Sequence, residues 1–184
     1  MIVAVTCMRA MVALAGYRTG GAVSYALLID DYTASLASLS RLAELRGLTV
    51  LTASSWDEGL KLAHVYSPVL VVADYDLPGS RHGLKLLAEI RRLNAGVRLI
   101  LLSAYIDEAD VQSIEQLGLI DKAVPKSRPG ASDEIVDEIQ DAQDRFERPT
   151  DWAAYGKAYR DARAVPTAAL DDLDDHLKKK RGIS

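Results

Sequence analysis

Short apolar runs alternate with amphipathic segments through most of the chain. The runs Ala26-Leu27-Leu28-Ile29 and Val69-Leu70-Val71-Val72-Ala73 are short and continuous, as in parallel strands that are buried on both faces. Between such runs, apolar residues recur every three or four positions, as from Leu36 to Leu45, and indicate helices with one buried face. The last of these helices is expected to be capped by Ser132. The predicted strands lie near 26–29, 48–52, 69–73, 97–102 and 119–124.

The regular alternation of these elements predicts the fold class. Strand and helix alternate five times between residues 25 and 146. Alternation of this kind requires right-handed crossovers, which place helices on both faces of a parallel sheet. At this size the expected fold is a doubly wound, five-stranded α/β sheet with the flavodoxin-like strand order 2-1-3-4-5. In that order, ligands bind beyond the carboxyl ends of the strands, between the first and the third strand.

The segments before and after this domain have a different pattern. Residues 1–24 are apolar but interrupted by Arg9, which does not suit a secretory signal, so we expect a disordered leader or a start codon placed too early. Residues 147–184 carry two apolar stripes at helical spacing and predict a helical extension that is too small for a core of its own. The basic run from Lys178 to Arg181 is expected to be a solvated helix end. The two stripes are Trp152, Tyr155 and Tyr159, then Leu170, Leu173 and Leu177.

Composition narrows the class of protein further. Of the 184 residues, 49% are hydrophobic and 26% are charged, and the formal net charge is −4. These values fit a soluble domain and argue against a nucleic-acid binder that relies on overall charge. The single cysteine, Cys7, excludes an internal disulfide and a Cys-rich zinc site. No apolar run reaches the roughly 20 residues that a membrane-spanning helix needs. We therefore expect a cytoplasmic protein without direct contact to nucleic acid or membrane.

Acidic, hydroxyl and amino side chains stand where four of the predicted strands end. Asp30 and Asp31 follow the first strand, Asp74 the third, Ser103 the fourth and Lys126 the fifth. Because the carboxyl ends of parallel strands meet at one edge of the sheet, these groups are expected in one cleft. At ~4 Å and an effective dielectric near 20, each pair of like charges costs roughly 4 kcal/mol, so one lysine does not balance three carboxylates. A Mg²⁺ ion suits such a site, and an aspartate beside Mg²⁺ and lysine can attack a phosphoryl donor.

These residues and their flanking sequences resemble the receiver domain of two-component response regulators. The matching segments stand in the family's order and spacing between residues 25 and 146. The resemblance implies a stand-alone receiver domain, residues 25–146, followed by the helical extension. The segments are Leu28-Ile29-Asp30-Asp31, Val71-Val72-Ala73-Asp74-Tyr75-Asp76-Leu77-Pro78-Gly79, Leu101-Leu102-Ser103-Ala104 and Val124-Pro125-Lys126.

The resemblance also implies a role for each residue of the site. Asp74 would accept the phosphoryl group, Ser103 would be the hydroxyl that responds to it, and Lys126 would pair with it. The remaining acidic residues would serve the metal, directly or through water. The implied Mg²⁺ ligands are Asp31, the assisting Asp30, Asp74 and the backbone carbonyl of Asp76.

The implied function is phosphorylation-controlled signalling. A histidine kinase or a histidine phosphotransfer protein would donate the phosphoryl group to Asp74, and the phosphorylated domain would then signal by protein–protein contacts, with a homodimer left open. The implied chemistry is confined to the chain's own aspartate, so an enzyme acting on other substrates is not expected. Two alternatives remain. One is a receiver-like scaffold that is never phosphorylated, and the other is a haloacid-dehalogenase-like phosphatase, whose motif Asp74-Tyr75-Asp76 imitates.

Three features depart from the family's usual pattern, one of which is that Lys126 follows a proline, Pro125, whereas the family more often has proline after the lysine. Ala123 occupies the position of an aromatic residue that often moves with the hydroxyl, and the turn at 78–83 is one residue longer than the commonest form. How phosphorylation would be communicated is therefore in question. Tyr105, two residues after Ser103, could shield the phosphoryl group from water or replace the missing aromatic residue as a moving element, and we expect the shield. His82 is expected to be a solvated loop residue.

Overall fold

The computed structural model describes residues 24–78, 82–94, 96–147 and 167–182. Within these ranges, strands and helices alternate as the apolar pattern predicts, and none of the helices is long and apolar enough to cross a membrane. The strands are β1 (Ala26–Ile29), β2 (Val50–Ala53), β3 (Leu70–Asp74), β4 (Arg98–Ser103) and β5 (Lys122–Pro125). The helices are α1 (Thr33–Leu45), α2 (Trp56–Tyr66), α3 (Gly83–Leu93), α4 (Glu108–Gln116), α5 (Ala131–Glu147) and α6 (Thr167–Arg181).

The five strands form one parallel sheet in the order β2-β1-β3-β4-β5, which confirms the predicted flavodoxin-like order. Strands β1 and β3 are buried along their whole length, as expected for strands that helices cover on both faces. The register places Ile29, Ala73 and Leu101 side by side in the three central strands. The residues that follow them therefore meet at the carboxyl edge of the sheet.

Two layers of helices bury the two faces of the sheet. Helices α1 and α5 cover one face, where Leu36 and Ile139 pack against Leu28 and Val72 of the central strands. Helices α2, α3 and α4 cover the opposite face, whose apolar cluster also contains the buried ring of Tyr75. The doubly wound architecture follows from continuous apolar strands that need cover on both sides.

Helix α6 joins the second of these layers. Leu170, Leu173 and Leu177 are buried and belong to the same apolar cluster as Leu84 of α3. The apolar stripe predicts the helix, and the structure adds the surface that it covers. The other predicted tail helix, which carries Trp152, and residues 1–23 of the predicted leader lie outside the described residues.

Side-chain caps begin two of the helices near the sheet edge. Ser55 accepts a hydrogen bond from the backbone N–H of Glu58 at 3.4 Å and caps α2. Asp107 accepts from the N–H of Asp110 at 3.1 Å, and the Asp110 carboxylate accepts from the N–H of Asp107 at 2.8 Å. This reciprocal capping box fixes the start of α4 directly after the β4 loop.

Several predicted boundaries are wrong, and two of them have a clear local cause. Ser132 is not a cap, because α5 already begins at Ala131, after Gly130 has turned the chain at a φ of 79°. Strand β5 begins at Lys122, three residues later than predicted. The segment before it is tied to β4 by the carboxylate of Asp121, which accepts from the N–H of Leu99 at 2.7 Å.

Candidate functional site

The carboxyl edge of the sheet gathers the acidic residues that the sequence places after separate strands. Asp30 follows β1, and Asp74 is the last residue of β3. Together with Asp31, each offers one carboxylate oxygen, and these three oxygens lie within 4.8 Å of one another. The three carboxylates therefore form one cluster at the predicted position.

Lys126 reaches into this cluster from the end of β5. Its Nζ lies 2.8 Å from Oδ2 of Asp74 and 2.9 Å from Oδ2 of Asp30. The backbone N–H of Lys126 donates to the carbonyl of Ser103 at 2.8 Å, which ties the lysine to the end of β4. Burial by itself lowers the pKa of Lys126, but the hydrogen bonds to the two carboxylates outweigh it and raise that pKa above its ordinary value. The lysine is therefore held as a cation between Asp74 and Asp30.

Asp74 is the most perturbed carboxyl of the cluster. It is 5% exposed, and burial raises its pKa from 3.8 to about 6. The ion pair with Lys126 acts in the opposite direction, and the charge of Asp30 adds to the rise. An ionised Asp74 is therefore under-compensated in the protein alone, and a further positive charge would favour it.

Asp30 and Asp31 are adjacent but have different surroundings. Asp30 is 2% exposed, and its Oδ1 accepts from the N–H of Tyr32 at 2.9 Å while its Oδ2 pairs with Lys126. Asp31 is exposed. Asp30 thus has a structural partner on each oxygen, whereas Asp31 is free to turn towards a ligand.

The donor set suits a hard divalent cation. Three carboxylates face one ammonium group, which leaves an excess of negative charge in a partly buried site. Carboxylate oxygens, a backbone carbonyl and water are the ligands that Mg²⁺ takes in phosphate-binding sites. The cluster could hold such an ion, and the residues present fit it.

Ser103 ends β4 beside this cluster. It is 1% exposed, and its Oγ accepts from the N–H of Tyr105 at 3.1 Å, so the hydroxyl is linked to the loop that leads into α4. Ala123 of β5 lies opposite Leu101 of β4 and is fully buried. The position that is often aromatic in the family therefore carries only a methyl group. Tyr105 itself is 40% exposed, and its ring lies 5.8 Å from the guanidinium carbon of Arg181 in α6.

Gly83 is a site residue that the sequence reasoning treated only as the start of a helix. Its N–H donates to the carbonyl of Tyr75 at 2.9 Å, which closes the long turn after β3. A Cβ at this position would lie 1.8 Å from the carbonyl oxygen of Asp74. Only glycine lets α3 approach the backbone of the acidic residue so closely.

The residues around Asp74 make contacts that the sequence does not predict, and one of them corrects the expectation for His82. His82 is 8% exposed and stacks on the ring of Tyr75 with centroids 5.0 Å apart, so it is not a solvated loop residue. The hydroxyl of Tyr75 donates to Oδ1 of Asp174 in α6 at 2.9 Å. The Asp76 carboxylate pairs with Arg181 at 2.5 Å.

The basic end of α6 is therefore not simply a solvated helix end. Arg181 contacts the loop after β3, and Lys180 pairs with Asp107 at 2.8 Å in the loop after β4. The sequence signal for the docking of α6 is the stripe of Leu170, Leu173 and Leu177. It predicts that one face of the helix is buried, but not which surface covers that face.

Comparison with known sequences identifies the family. The family model described as the response regulator receiver domain matches residues 26–140. The acid tolerance regulatory protein ActR of Sinorhizobium medicae is 34% identical over 124 residues, which cover 67% of this chain and 62% of ActR. The transcriptional regulatory protein AfsQ1 of Streptomyces coelicolor is 34% identical over 140 residues, which cover 76% of this chain and 60% of AfsQ1. The matches thus span less than two thirds of the length of these relatives.

Solved structures give the same result. A CheY-like receiver domain protein from Methanospirillum hungatei has a TM-score of 0.59 and 25% identity, covering 70% of this chain and 100% of that chain. A receiver domain protein from Clostridium thermocellum has a TM-score of 0.56 and 26% identity, covering 66% of this chain and 95% of that chain. The matched residues contain all five strands and every predicted site residue. The chain therefore belongs to the response regulator receiver domain family of two-component signal transduction.

Proposed function

We propose that this receiver domain accepts a phosphoryl group on Asp74 from the phosphohistidine of a histidine kinase or a histidine phosphotransfer protein. The observation that carries the proposal is the placement of the Asp74 carboxylate. It is nearly buried, lies 2.8 Å from Lys126, and shares a cluster with Asp30 and Asp31. A carboxylate with a cation on one side and metal-ligating groups on the other is a competent nucleophile towards phosphorus.

The chemistry is a single phosphoryl transfer. A carboxylate oxygen of Asp74 forms a bond to phosphorus as the bond between phosphorus and the donor's imidazole nitrogen breaks, and the electron pair of that bond stays on the nitrogen. Lys126, already within hydrogen-bond distance of Asp74, stabilises the charge of the transferred group. Ser103, which ends the neighbouring strand β4, would donate its hydroxyl proton in a hydrogen bond to the same group.

The proposed metal is Mg²⁺, which when bound supplies positive charge to the phosphoryl oxygens. Asp31 would be the direct carboxylate ligand, since it is exposed and close to the cluster. Asp74 and the backbone carbonyl of Asp76 would complete the protein ligands. Asp30 would assist through water while it holds Lys126 and the N–H of Tyr32.

The output of the chain is proposed to be a change of protein partners. Relatives such as AfsQ1 are named as transcriptional regulators, but the match covers only 60% of AfsQ1. We propose a receiver over 25–146 and a helical extension over 147–184 that signal in the cytoplasm by protein contacts, without direct contact to nucleic acid or membrane. Residues 1–24 would be a leader, and a homodimer is compatible with this arrangement.

Phosphorylation by a small donor tests the proposal. The purified chain is incubated with acetyl phosphate and Mg²⁺, and its intact mass is followed. We expect one added phosphoryl group that requires Mg²⁺, is removed by hydroxylamine and is absent in Asp74→Asn. Asp76→Asn is the matched control, because it makes the same charge change two residues away and keeps the backbone carbonyl. Labelling that persists in Asp74→Asn would exclude Asp74 as the acceptor.

Two alternative functions differ in the same assay. A scaffold that is never phosphorylated is favoured only by Ala123, and it predicts Mg²⁺ binding without any labelling. A haloacid-dehalogenase-like phosphatase predicts steady release of phosphate from a phosphomonoester. In that family the Asp-x-Asp motif stands on the first strand, whereas Asp74 ends β3 in this chain.

A further inference from the structure

Helix α6 occupies a groove between α3 and α4 on the sheet face that these helices cover. Its leucines at 170, 173 and 177 are 7%, 8% and 0% exposed, and they share an apolar cluster with Leu84 of α3 and Ile114 of α4. The helix runs so that its last turn lies beside the carboxyl edge of the sheet, where Arg181 meets Asp76. An appended helix held only by apolar packing could bind in many registers, so the polar contacts are informative.

The first group of polar contacts joins α6 to the segment that follows the acceptor. The hydroxyl of Tyr75 donates to Asp174, which is 1% exposed and also pairs with Lys85 at 3.4 Å and Lys178 at 2.7 Å. Arg181 pairs with Asp76 at 2.5 Å. Both residues that directly follow Asp74 are therefore bound to α6.

The second group joins α6 to the segment that follows the Ser103 hydroxyl. Lys180 lies 2.8 Å from Asp107 and 2.5 Å from Asp110, and His176 lies 3.0 Å from Asp110. Arg181 also lies over the ring of Tyr105, with 5.8 Å between the guanidinium carbon and the ring centroid. The last turn of α6 thus contacts both loops of the site at once.

A short physical path connects the site to these contacts. Ser103 Oγ accepts from the N–H of Tyr105, and Tyr105 and Asp107 then contact α6. If the side chain of Ser103 rotates to bring its hydroxyl to a phosphoryl oxygen, Oγ moves relative to the N–H of Tyr105, and the loop that carries both contacts to α6 would be displaced. The carboxylates of Asp174 and Asp110 are buried, whereas their cationic partners are partly exposed, so each buried carboxylate depends on the geometry of its partner in α6 or α3.

We propose that α6 reports the phosphorylation state of the domain: it is docked in the groove between α3 and α4 when Asp74 is unmodified and is released when Asp74 is phosphorylated. This inference rests on the proposed function, because it needs a phosphoryl group on Asp74. In the family, an aromatic residue at the position of Ala123 often transmits the signal. In this chain, the two loops that α6 contacts would take over that role. The exposed groove then becomes the surface that changes between the two states.

Thermodynamic linkage gives the proposal a second, independent consequence. If a phosphoryl group weakens the docking of α6, weakening that docking by mutation must strengthen the binding of a phosphoryl analogue, by at most the same factor. Beryllofluoride with Mg²⁺ is a suitable analogue, because it binds an acceptor carboxylate without covalent turnover. Coupling between two sites in one protein is commonly about 5- to 150-fold.

The first experiment measures amide exchange in the full chain with and without beryllofluoride and Mg²⁺. We expect the protection of residues 167–181 to fall about tenfold or more on binding, while β1 and β3 keep their protection. Unchanged or increased protection of α6 in the saturated complex would overturn the proposal.

The second experiment compares beryllofluoride affinity among variants of the last turn. The double variant Lys180→Ala and Arg181→Ala removes the contacts to both loops, and we expect it to bind about fivefold or more tightly than the wild type. Lys179→Ala is the matched control, since Lys179 is exposed in the same turn and has no ion pair with the residues that the structure describes. Equal affinity of the double variant and the wild type would also overturn the proposal.

The two proposals fail in different ways. If Asp74 is labelled by acetyl phosphate but α6 does not respond, only the role of α6 is wrong. If neither labelling nor beryllofluoride binding occurs, the proposed function is wrong, and the role of α6 falls with it.

Discussion

At the scale of single residues, the different roles proposed for Asp30 and Asp31 follow from their different burial. Asp30 is 2% exposed and has protein partners on both oxygens, whereas the exposed Asp31 has its oxygen close to the same cluster. A buried, fully partnered carboxylate positions its neighbours. An exposed one can move to meet a cation.

Metal titration of two variants tests this division. Asp31→Ala is expected to weaken Mg²⁺ binding more than Asp30→Ala, because it removes the direct ligand. Loss of a group that acts through water or through a neighbour typically costs about 10- to 100-fold in metal affinity, which sets the expected size of the Asp30→Ala effect. Calorimetric titration with Mg²⁺ measures both constants, and equal losses would show that the two roles are not distinct.

Tyr105 gives a second prediction at this scale. Its ring is 40% exposed and follows Ser103 by two residues, so we expect it to shield the phosphoryl group from water. Tyr105→Ala should shorten the lifetime of the phosphorylated protein severalfold. Tyr105→Phe is the control, because it keeps the aromatic ring and removes only the hydroxyl. The lifetime is measured after removal of the donor, and an unchanged value in Tyr105→Ala would refute the shield.

The residues that lie at strand ends were the ones that the sequence placed correctly. Asp30, Asp74, Ser103 and Lys126 each follow an apolar run, and a parallel sheet brings such positions to one edge. His82 was wrongly predicted to be solvated, because its burial depends on stacking against Tyr75 and not on any local pattern. The local sequence pattern predicts the positions of strands and helices, but not the tertiary contacts of a loop side chain.

At the scale of elements, the start of α3 is fixed by a single glycine. A Cβ on Gly83 would lie 1.8 Å from the carbonyl oxygen of Asp74, so any other residue would force the start of α3 away from the end of β3. At Gly59 in α2 the nearest atom is Cδ1 of Ile29 at 2.7 Å, the end of a flexible side chain. Backbone cannot move aside as a side-chain terminus can.

The two glycines therefore form a matched pair for mutation. Overpacking a core typically costs about 1–3 kcal/mol, and we expect Gly83→Ala to reach or exceed the upper end of this range. Gly59→Ala should cost less, because Ile29 can change rotamer. Urea unfolding measures the free energy of unfolding of both variants. A Gly83→Ala protein as stable as Gly59→Ala would contradict the close approach of α3 to Asp74.

Element boundaries show where sequence reasoning loses precision. Ser55 and Asp107 are residue types that commonly precede helices, and each caps the first turn of its helix with a side-chain oxygen. The prediction of Ser132 as a cap is wrong, because Gly130 turns the chain and the helix has begun at Ala131, before Ser132 is reached. A serine predicts a helix N-terminus only when no glycine turn directly before it has already started the helix.

At the scale of the whole molecule, α6 is part of the folded core. Leu173 is 8% exposed and belongs to the apolar cluster that lies under α3 and α4, whereas Leu93 at the end of α3 is 43% exposed. An apolar stripe predicts that a face is buried. It does not say which surface buries it, and the position of α6 became visible only in the structure.

Alanine substitution of these two leucines tests whether α6 contributes to global stability. Leu173→Ala is expected to cost about 2 kcal/mol or more, as for other buried leucines, and to lower Tm by about 4–8 °C. Leu93→Ala is the control and should change stability by about 0.5 kcal/mol or less. Thermal unfolding measures both. Equal Tm values for the two variants would show that α6 does not unfold together with the sheet domain.

The central claim for the molecule is that Asp74 carries the phosphoryl group, and chemical mapping of the acyl phosphate tests it most directly. After reaction with acetyl phosphate and Mg²⁺, borohydride reduces a phosphorylated aspartate to homoserine, which peptide mass spectrometry locates. We predict homoserine at position 74 and at none of the neighbouring acidic positions 30, 31 and 76. Homoserine at one of those positions instead, or a Mg²⁺-loaded protein without any homoserine, would contradict it.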